Sequence, residues 1–96
     1  MKKVAIVTGA SSGLGREFAV QIAQKYRMID EIWLIARRKE RLAEVKNEIN
    51  AVSDKLVRIL ALDLTKESDI NFYRNLLERQ DPSIRVLVNA AGYGIA

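Results

Sequence analysis

The sequence predicts an α/β fold, a parallel sheet wound on both faces by helices, and three observations carry that prediction. Four short apolar runs are separated by three segments of helical period, and a glycine-rich stretch directly follows the first run. The runs are residues 4–7, 32–35, 56–62 and 86–88. They are rich in β-branched residues and nearly continuous rather than alternating, the pattern of strands covered on both faces.

The helical segments follow from spacing. In the first, Leu14, Phe18, Ile22 and Tyr26 recur every four residues, and Ala19 and Ala23 widen the apolar stripe. The second places Leu42, Val45, Ile49 and Val52 on one face, with Glu40, Lys46 and Glu48 on the other. The third takes Thr65 or Ser68 as its N-cap, carries Ile70, Tyr73 (or Phe72), Leu76 and Leu77, and stops at Asp81-Pro82-Ser83.

Strands alternating with helices imply a parallel sheet. With right-handed crossovers and strand order 3-2-1-4, the first two helices lie on one face and the third on the other. One face is then under-covered and the edge of the fourth strand is open. Apolar surface left in water costs about 25 cal/mol per Å², so the chain is expected to associate with itself, which light scattering tests.

Composition narrows the function. Ninety-six residues allow at most one compact domain. With neither cysteine nor histidine, disulfides and thiolate or imidazole metal sites are excluded, and no tight carboxylate cluster replaces them. No apolar run approaches the roughly 18 residues that cross a bilayer. Lys2 and Lys3 precede an apolar stretch too short for a signal peptide, so a cytoplasmic location is expected, with no membrane partner. The net charge of +4 is scattered, without the aromatic-interleaved stripe of a nucleic-acid binder. One basic knot stands out, Arg37-Arg38-Lys39 with Arg41 close behind.

After the first strand comes Thr8-Gly9-Ala10-Ser11-Ser12-Gly13-Leu14-Gly15, and then a helix. Glycine permits the tight turn, and the missing side chains let a pyrophosphate reach the backbone. The helix N-terminus offers unpaired N–H groups and the positive end of its dipole. Ser11 and Ser12 add hydroxyl donors, and Gly15 lets the helix pack closely on the first strand.

The stretch TGASSGLG resembles the cofactor loop of the short-chain dehydrogenase/reductase family, T-G-x-x-x-G-x-G, with its glycines on Gly9, Gly13 and Gly15 and with Leu14 between the last two. ALDLT resembles the end of the family's third strand, which implies an adenine contact at Asp63, with Leu64 beside it. NAAG resembles the family's N-N-A-G after strand four, matching Asn89, Ala91 and Gly92. Ala90 departs from the second Asn, so only a backbone role lining the cofactor carries over there. The resemblance spans the whole chain and implies a Rossmann-like fold, a nicotinamide dinucleotide cofactor and hydride transfer between nicotinamide and an alcohol or carbonyl carbon.

A Rossmann unit usually ends its second strand on an acid that binds the ribose 2′-OH of NAD. Here that strand ends Leu34-Ile35-Ala36-Arg37-Arg38, with no carboxylate to repel a 2′-phosphate and two guanidinium groups to bind one. NADP(H) is therefore expected over NAD(H). Arg16 is a weaker candidate, expected to meet solvent or a nearby acid.

The family's chemistry uses a Tyr, a Lys four residues later, and a Ser. Tyr26 is followed at four residues by Asp30 and Tyr73 by Leu77, while Tyr93 has three residues after it. No catalytic residue is assigned; Tyr26, Tyr73 and Trp33 read as packing residues. The expectation is that residues 1–96 are the N-terminal cofactor-binding part of a larger reductase and are inert alone. The alternatives are a stand-alone NADP-binding regulatory or partner module, and a scaffold for another chemistry such as methyl transfer. The latter leaves Arg37 and Arg38 without a purpose.

Overall fold

The computed structural model describes residues 1–90. Within them the order is β1 (Lys3–Thr8), α1 (Gly13–Lys25), β2 (Glu31–Ala36), α2 (Lys39–Asn50), β3 (Leu56–Ala61), α3 (Glu67–Gln80) and β4 (Ser83–Asn89). The strands form one sheet in the order β3-β2-β1-β4, all neighbours parallel, as the sequence predicts. Thr8 pairs with Ile35 on one side and Asn89 on the other, and Ala36 pairs with Ala61. All four strands thus end at one edge, where the following loops converge. The chain leaves β1 toward β2 and β3, then returns across it to β4, so that edge is split at β1, where open α/β sheets bind ligands.

Side chains alternate across the sheet and sort the core into two layers. Ala5, Val7, Ile32 and Leu34 pack with Ala19, Ile22 and Ala23 of α1 and with Leu42, Val45 and Ile49 of α2. On the other face Val4, Ile6, Trp33 and Ile35 meet Leu76, with Tyr73 and Leu77 beside it. Helix α3 is the single helix on that face among the described residues. Burial is complete only along β1 and most of β2. The outer strands β3 and β4 are partly exposed, because among the described residues each has a strand neighbour on one side only. On β4, Ile84 and Leu87 reach 45% and 62% exposure, which marks the under-covered region.

Trp33 is fully buried, a packing residue as expected. Its indole N–H donates to Glu31 Oε2 at 2.7 Å, and Lys2 Nζ lies 3.5 Å from the other carboxylate oxygen. The Arg58 guanidinium sits 5.3 Å from the indole centroid, within cation–π range. A carboxylate that is 4% exposed is therefore paired and hydrogen-bonded, as burial of a charge requires.

Each helix corrects part of what its spacing predicts. On α1 the buried residues are Gly15, Ala19, Ile22 and Ala23, whereas Leu14, Phe18 and Tyr26 are 51%, 40% and 47% exposed. A four-residue repeat advances about 400° on a helix of 3.6 residues per turn, so the stripe rotates about 40° at each step. Leu14 and Phe18 thus fall off the sheet side and Ile22 on it, the small residues at 15, 19 and 23 let the helix axis approach the strands, and Tyr26 is the C-cap, past the last helical residue. Tyr26 is accordingly not a core residue. On α2, Leu42, Val45 and Ile49 are buried as read, but Val52 lies beyond the helix end and is half exposed.

Helix α3 buries Leu76 and partly Tyr73, while Ile70 and Phe72 face outward. Burial accordingly raises the Tyr73 phenol above its usual range. Its N-cap is Lys66, in extended geometry, and neither Thr65 nor Ser68 caps it. The Asp63 side chain engages Thr65 instead, and Asp69 in the first turn accepts the Asp63 N–H at 2.7 Å. The helix ends on Asp81, whose φ of 44° is left-handed, before Pro82.

Because the α1 contact runs through small residues, enlarging one must push the helix away. Ala19→Leu is expected to lower the unfolding free energy by about 1–3 kcal/mol, measured by urea denaturation; an unchanged midpoint would contradict the assigned face.

Candidate dinucleotide site

The β1–α1 loop is shaped by its glycines. Gly9 and Gly13 adopt left-handed φ values of 66° and 56°, which L-residues with a Cβ adopt at a cost of about 1–2 kcal/mol. Gly15 is required for a different reason. A Cβ there would collide with the Gly9 carbonyl oxygen and lie 2.7 Å from its carbon and 3.1 Å from the Ala90 Cβ. The helix start, the loop and the end of β4 therefore touch at one backbone position. The Ala10 N–H donates to the Ile35 carbonyl at 3.2 Å and ties the loop to β2.

The N-terminus of α1 is left open. Ser12 takes the N-cap position in extended geometry without a side-chain capping bond, and no acid occupies the first turn. The first N–H groups are free of side-chain caps, and the positive end of the helix dipole faces outward unopposed. At Gly13 an added Cβ would meet nothing within 4 Å, so the backbone there borders open space.

That space is a cavity of about 930 Å³, within the roughly 300–1,000 Å³ of small-molecule sites. Gly9, Ser11, Ser12, Gly13, Leu14 and Gly15 form its floor. Arg37, Arg38 and Arg41 line it from the end of β2 and the start of α2, and Asp63, Leu64 and Thr65 from the end of β3. Ala90 reaches it after β4, whereas Asn89 stands outside the lining. The Asn89 side chain instead accepts the Thr8 hydroxyl at 2.8 Å, tying the ends of β1 and β4 together. Ala91 and Gly92, also expected at the cofactor, and Tyr93 lie outside the described residues.

The cavity's charges are arranged by sign. Among the described residues the ion pairs are Lys2–Glu31 and Arg16–Glu48. Arg37, Arg38 and Arg41 therefore have no carboxylate partner there. Arg16 does: its Nε donates to Glu48 Oε2 at 3.1 Å, so it joins α1 to α2 rather than serving the cavity. The Asp63 carboxylate accepts both the Thr65 hydroxyl, at 2.6 Å, and the Thr65 N–H, at 3.0 Å. Those two bonds, with weaker help from Lys66 and Arg37, hold its pKa below the usual value. The lowered pKa favours the ionised, accepting form of Asp63.

Arg41 and Thr65 were not singled out as site residues from the sequence. Arg41 could have been found by helical spacing, since it stands one turn after Arg38. The Thr65 contact depends on a turn that α3 was expected to occupy.

A glycine loop opening a helix at the split edge of a parallel sheet defines a doubly wound nucleotide-binding unit. The profile of the family described as short chain dehydrogenase matches residues 3–96, and the chain belongs to that family. It is 36% identical over 92 residues to an 11-beta-hydroxysteroid dehydrogenase of Pinus massoniana, covering 96% of this chain and 25% of that protein. It is also 36% identical over 89 residues to a very-long-chain 3-oxoacyl-CoA reductase of Candida glabrata, covering 92% of this chain and 24% of that protein. The chain thus spans about a quarter of the length of these curated relatives. Among solved structures, a short-chain dehydrogenase from Sphingobium yanoikuyae in complex with NADPH superposes with a TM-score of 0.75 at 32% identity, over 91% of this chain and 32% of that one.

The close approach at Gly15 generates a direct test. Gly15→Ala must displace backbone rather than a flexible side chain, and should cost about 1–3 kcal/mol of stability in urea unfolding. An unchanged midpoint would contradict the packing described.

Proposed function

We propose that the chain binds NADP(H) and forms the dinucleotide-binding part, within a single Rossmann-like domain, of an oxidoreductase acting on an alcohol or carbonyl substrate. The observation that carries this reading is the wall at the end of β2. Arg37 and Arg38 line the cavity there without carboxylate partners among the described residues, and no acid stands at that strand end to favour a ribose 2′-OH. Solved relatives in complex with NADP or NADPH support it.

The residues divide the cofactor between them. The N–H groups from Gly13 to Gly15 and the Ser11 and Ser12 hydroxyls hold the pyrophosphate at the uncapped helix start. Arg37 and Arg38 hold the 2′-phosphate through charge-assisted, bidentate hydrogen bonds. Asp63, kept ionised by Thr65, accepts a hydrogen bond from the adenine amino group, and Leu64 packs beside the base. The end of β4 reaches the same cavity through Ala90. Bound NADPH supplies the hydride.

Among the described residues, none is assigned the proton step. Tyr26 is half exposed near the C-terminal end of α1, and Tyr73 is held in the layer between α3 and the sheet, both away from the cavity lining. Neither has a lysine four residues on. The 96 residues alone are proposed to bind cofactor without turning it over.

Calorimetric titration should show NADPH binding at least about tenfold tighter than NADH, the worth of one charge-assisted bond of roughly 1.5–3 kcal/mol. Arg37→Ala should bring the two affinities together. Equal affinities in the wild type, or an unchanged ratio in the variant, would overturn the assignment.

A further inference from the structure

The sheet has two outer strands, and the fold leaves their edges in different states. On β4, Pro82 stands just before the strand, Arg85 is exposed, and the pairing with β1 shifts register between Val4 and Ala5. Proline, charge and an irregular ladder are devices that keep an edge from pairing. None of them guards β3, which reads LVRILA over Leu56–Ala61 and pairs regularly with β2. Its one charge, Arg58, is drawn inward over the Trp33 ring of β2, at 5.3 Å.

The ladder fixes which groups that edge offers. The Leu56 and Leu62 N–H groups bond to the carbonyls of Asp30 and Ala36. Direction alternates along a strand, so the N–H and C=O groups of Val57, Ile59 and Ala61 point outward. The side chains of Leu56, Arg58, Leu60 and Leu62 share the face that α3 covers. At one end of β3 on that face, Leu56 is 59% exposed, an apolar knob. At the other end lies a recess of about 260 Å³, lined by Leu60, Leu62 and the half-exposed Phe72, with Lys39 beside them. Knob and recess thus occupy opposite ends of one edge, and a two-fold axis normal to the sheet exchanges them.

We infer that the β3 edge is a docking surface for a second copy of this chain, paired antiparallel, β3 to β3, about a two-fold axis at Ile59. In that register Val57 meets Ala61 of the second copy and Ile59 meets its own counterpart. Every outward N–H and C=O of β3 is then paired. Leu56 falls opposite Leu62 of the second copy, at its recess. An axis at Arg58 instead would set the two Arg58 side chains directly opposite and leave Ala61 unpaired, and like charges so placed are destabilising. Charge favours the same occupant. Lys39, beside the recess, and Asp54, just before the knob, have no salt partner among the described residues. The axis brings each toward the other across the contact. Because the contact is isologous, each such pairing is made twice.

The test is sedimentation equilibrium of the 96-residue chain and its variants, with amide hydrogen exchange read in dilute and concentrated solution. The wild type should dimerise, and the Val57, Ile59 and Ala61 amides should gain protection as concentration rises. Leu56→Lys should weaken the dimer at least about tenfold. Leu87→Lys, at the exposed position on β4, should leave it within about twofold. Lys39→Glu and Asp54→Lys should each weaken it about threefold, and the two together should restore it. A wild type that stays monomeric at its highest soluble concentration overturns the inference. A dimer lost with Leu87→Lys but kept with Leu56→Lys overturns it too, since the contact would then lie at the under-covered face. A double charge reversal no tighter than its single changes also overturns it, because the register sets that pair.

Discussion

The Gly9 carbonyl fills the space that a side chain at residue 15 would need, and the geometry of the site depends on that contact. It lets α1 start directly beside the loop that leaves β1. Gly9 itself and Gly13 supply the left-handed turns that bring the chain round so sharply. The helix then opens without a side-chain cap, its free N–H groups bordering the cavity at the point where strand order reverses. Farther along α1 the same close approach continues through Ala19 and Ala23. Small residues on one helix face thus serve both packing and site geometry.

The sheet around that contact places the remaining groups. Its central strands are buried on both faces, so their ends are fixed by packing rather than by the loops they carry. The Thr8–Asn89 hydrogen bond joins β1 to β4 at the edge, and the Ala10 and Leu62 N–H groups bond to the carbonyls of Ile35 and Ala36. Each loop is anchored to the neighbouring strand just before it diverges. A site built on such anchors needs little ordering when a ligand arrives, which lowers the entropic cost of binding.

Much of this was legible in the sequence because local rules and the fold agree. The glycine spacing, the apolar runs and the strand order followed from turn chemistry, burial on both faces and crossover handedness. The failures have physical causes. Leu14 and Phe18 belong to a repeat of four that does not match a helix of 3.6, Tyr26 falls past the helix end, and the alanines carry the contact. The start of α3 was misread because Asp63 captures Thr65 and leaves Lys66 as the N-cap. Arg41 lines the cavity while Lys39 does not, a difference of position on α2 hidden in a run of adjacent basic residues. Asn89 reads as a cofactor residue by motif, while its amide oxygen is engaged within the sheet.

The central claim is that the open start of α1 and the guanidinium wall together hold one dinucleotide. Amide chemical shifts recorded on the ¹⁵N-labelled chain during NADPH titration test it most directly. The account predicts that the Gly13, Leu14 and Gly15 amides shift together with those of Arg37 and Arg38, along one saturation curve, while amides at the opposite edge around Glu31 stay still. Shifts centred elsewhere, or none at the α1 start, would contradict it.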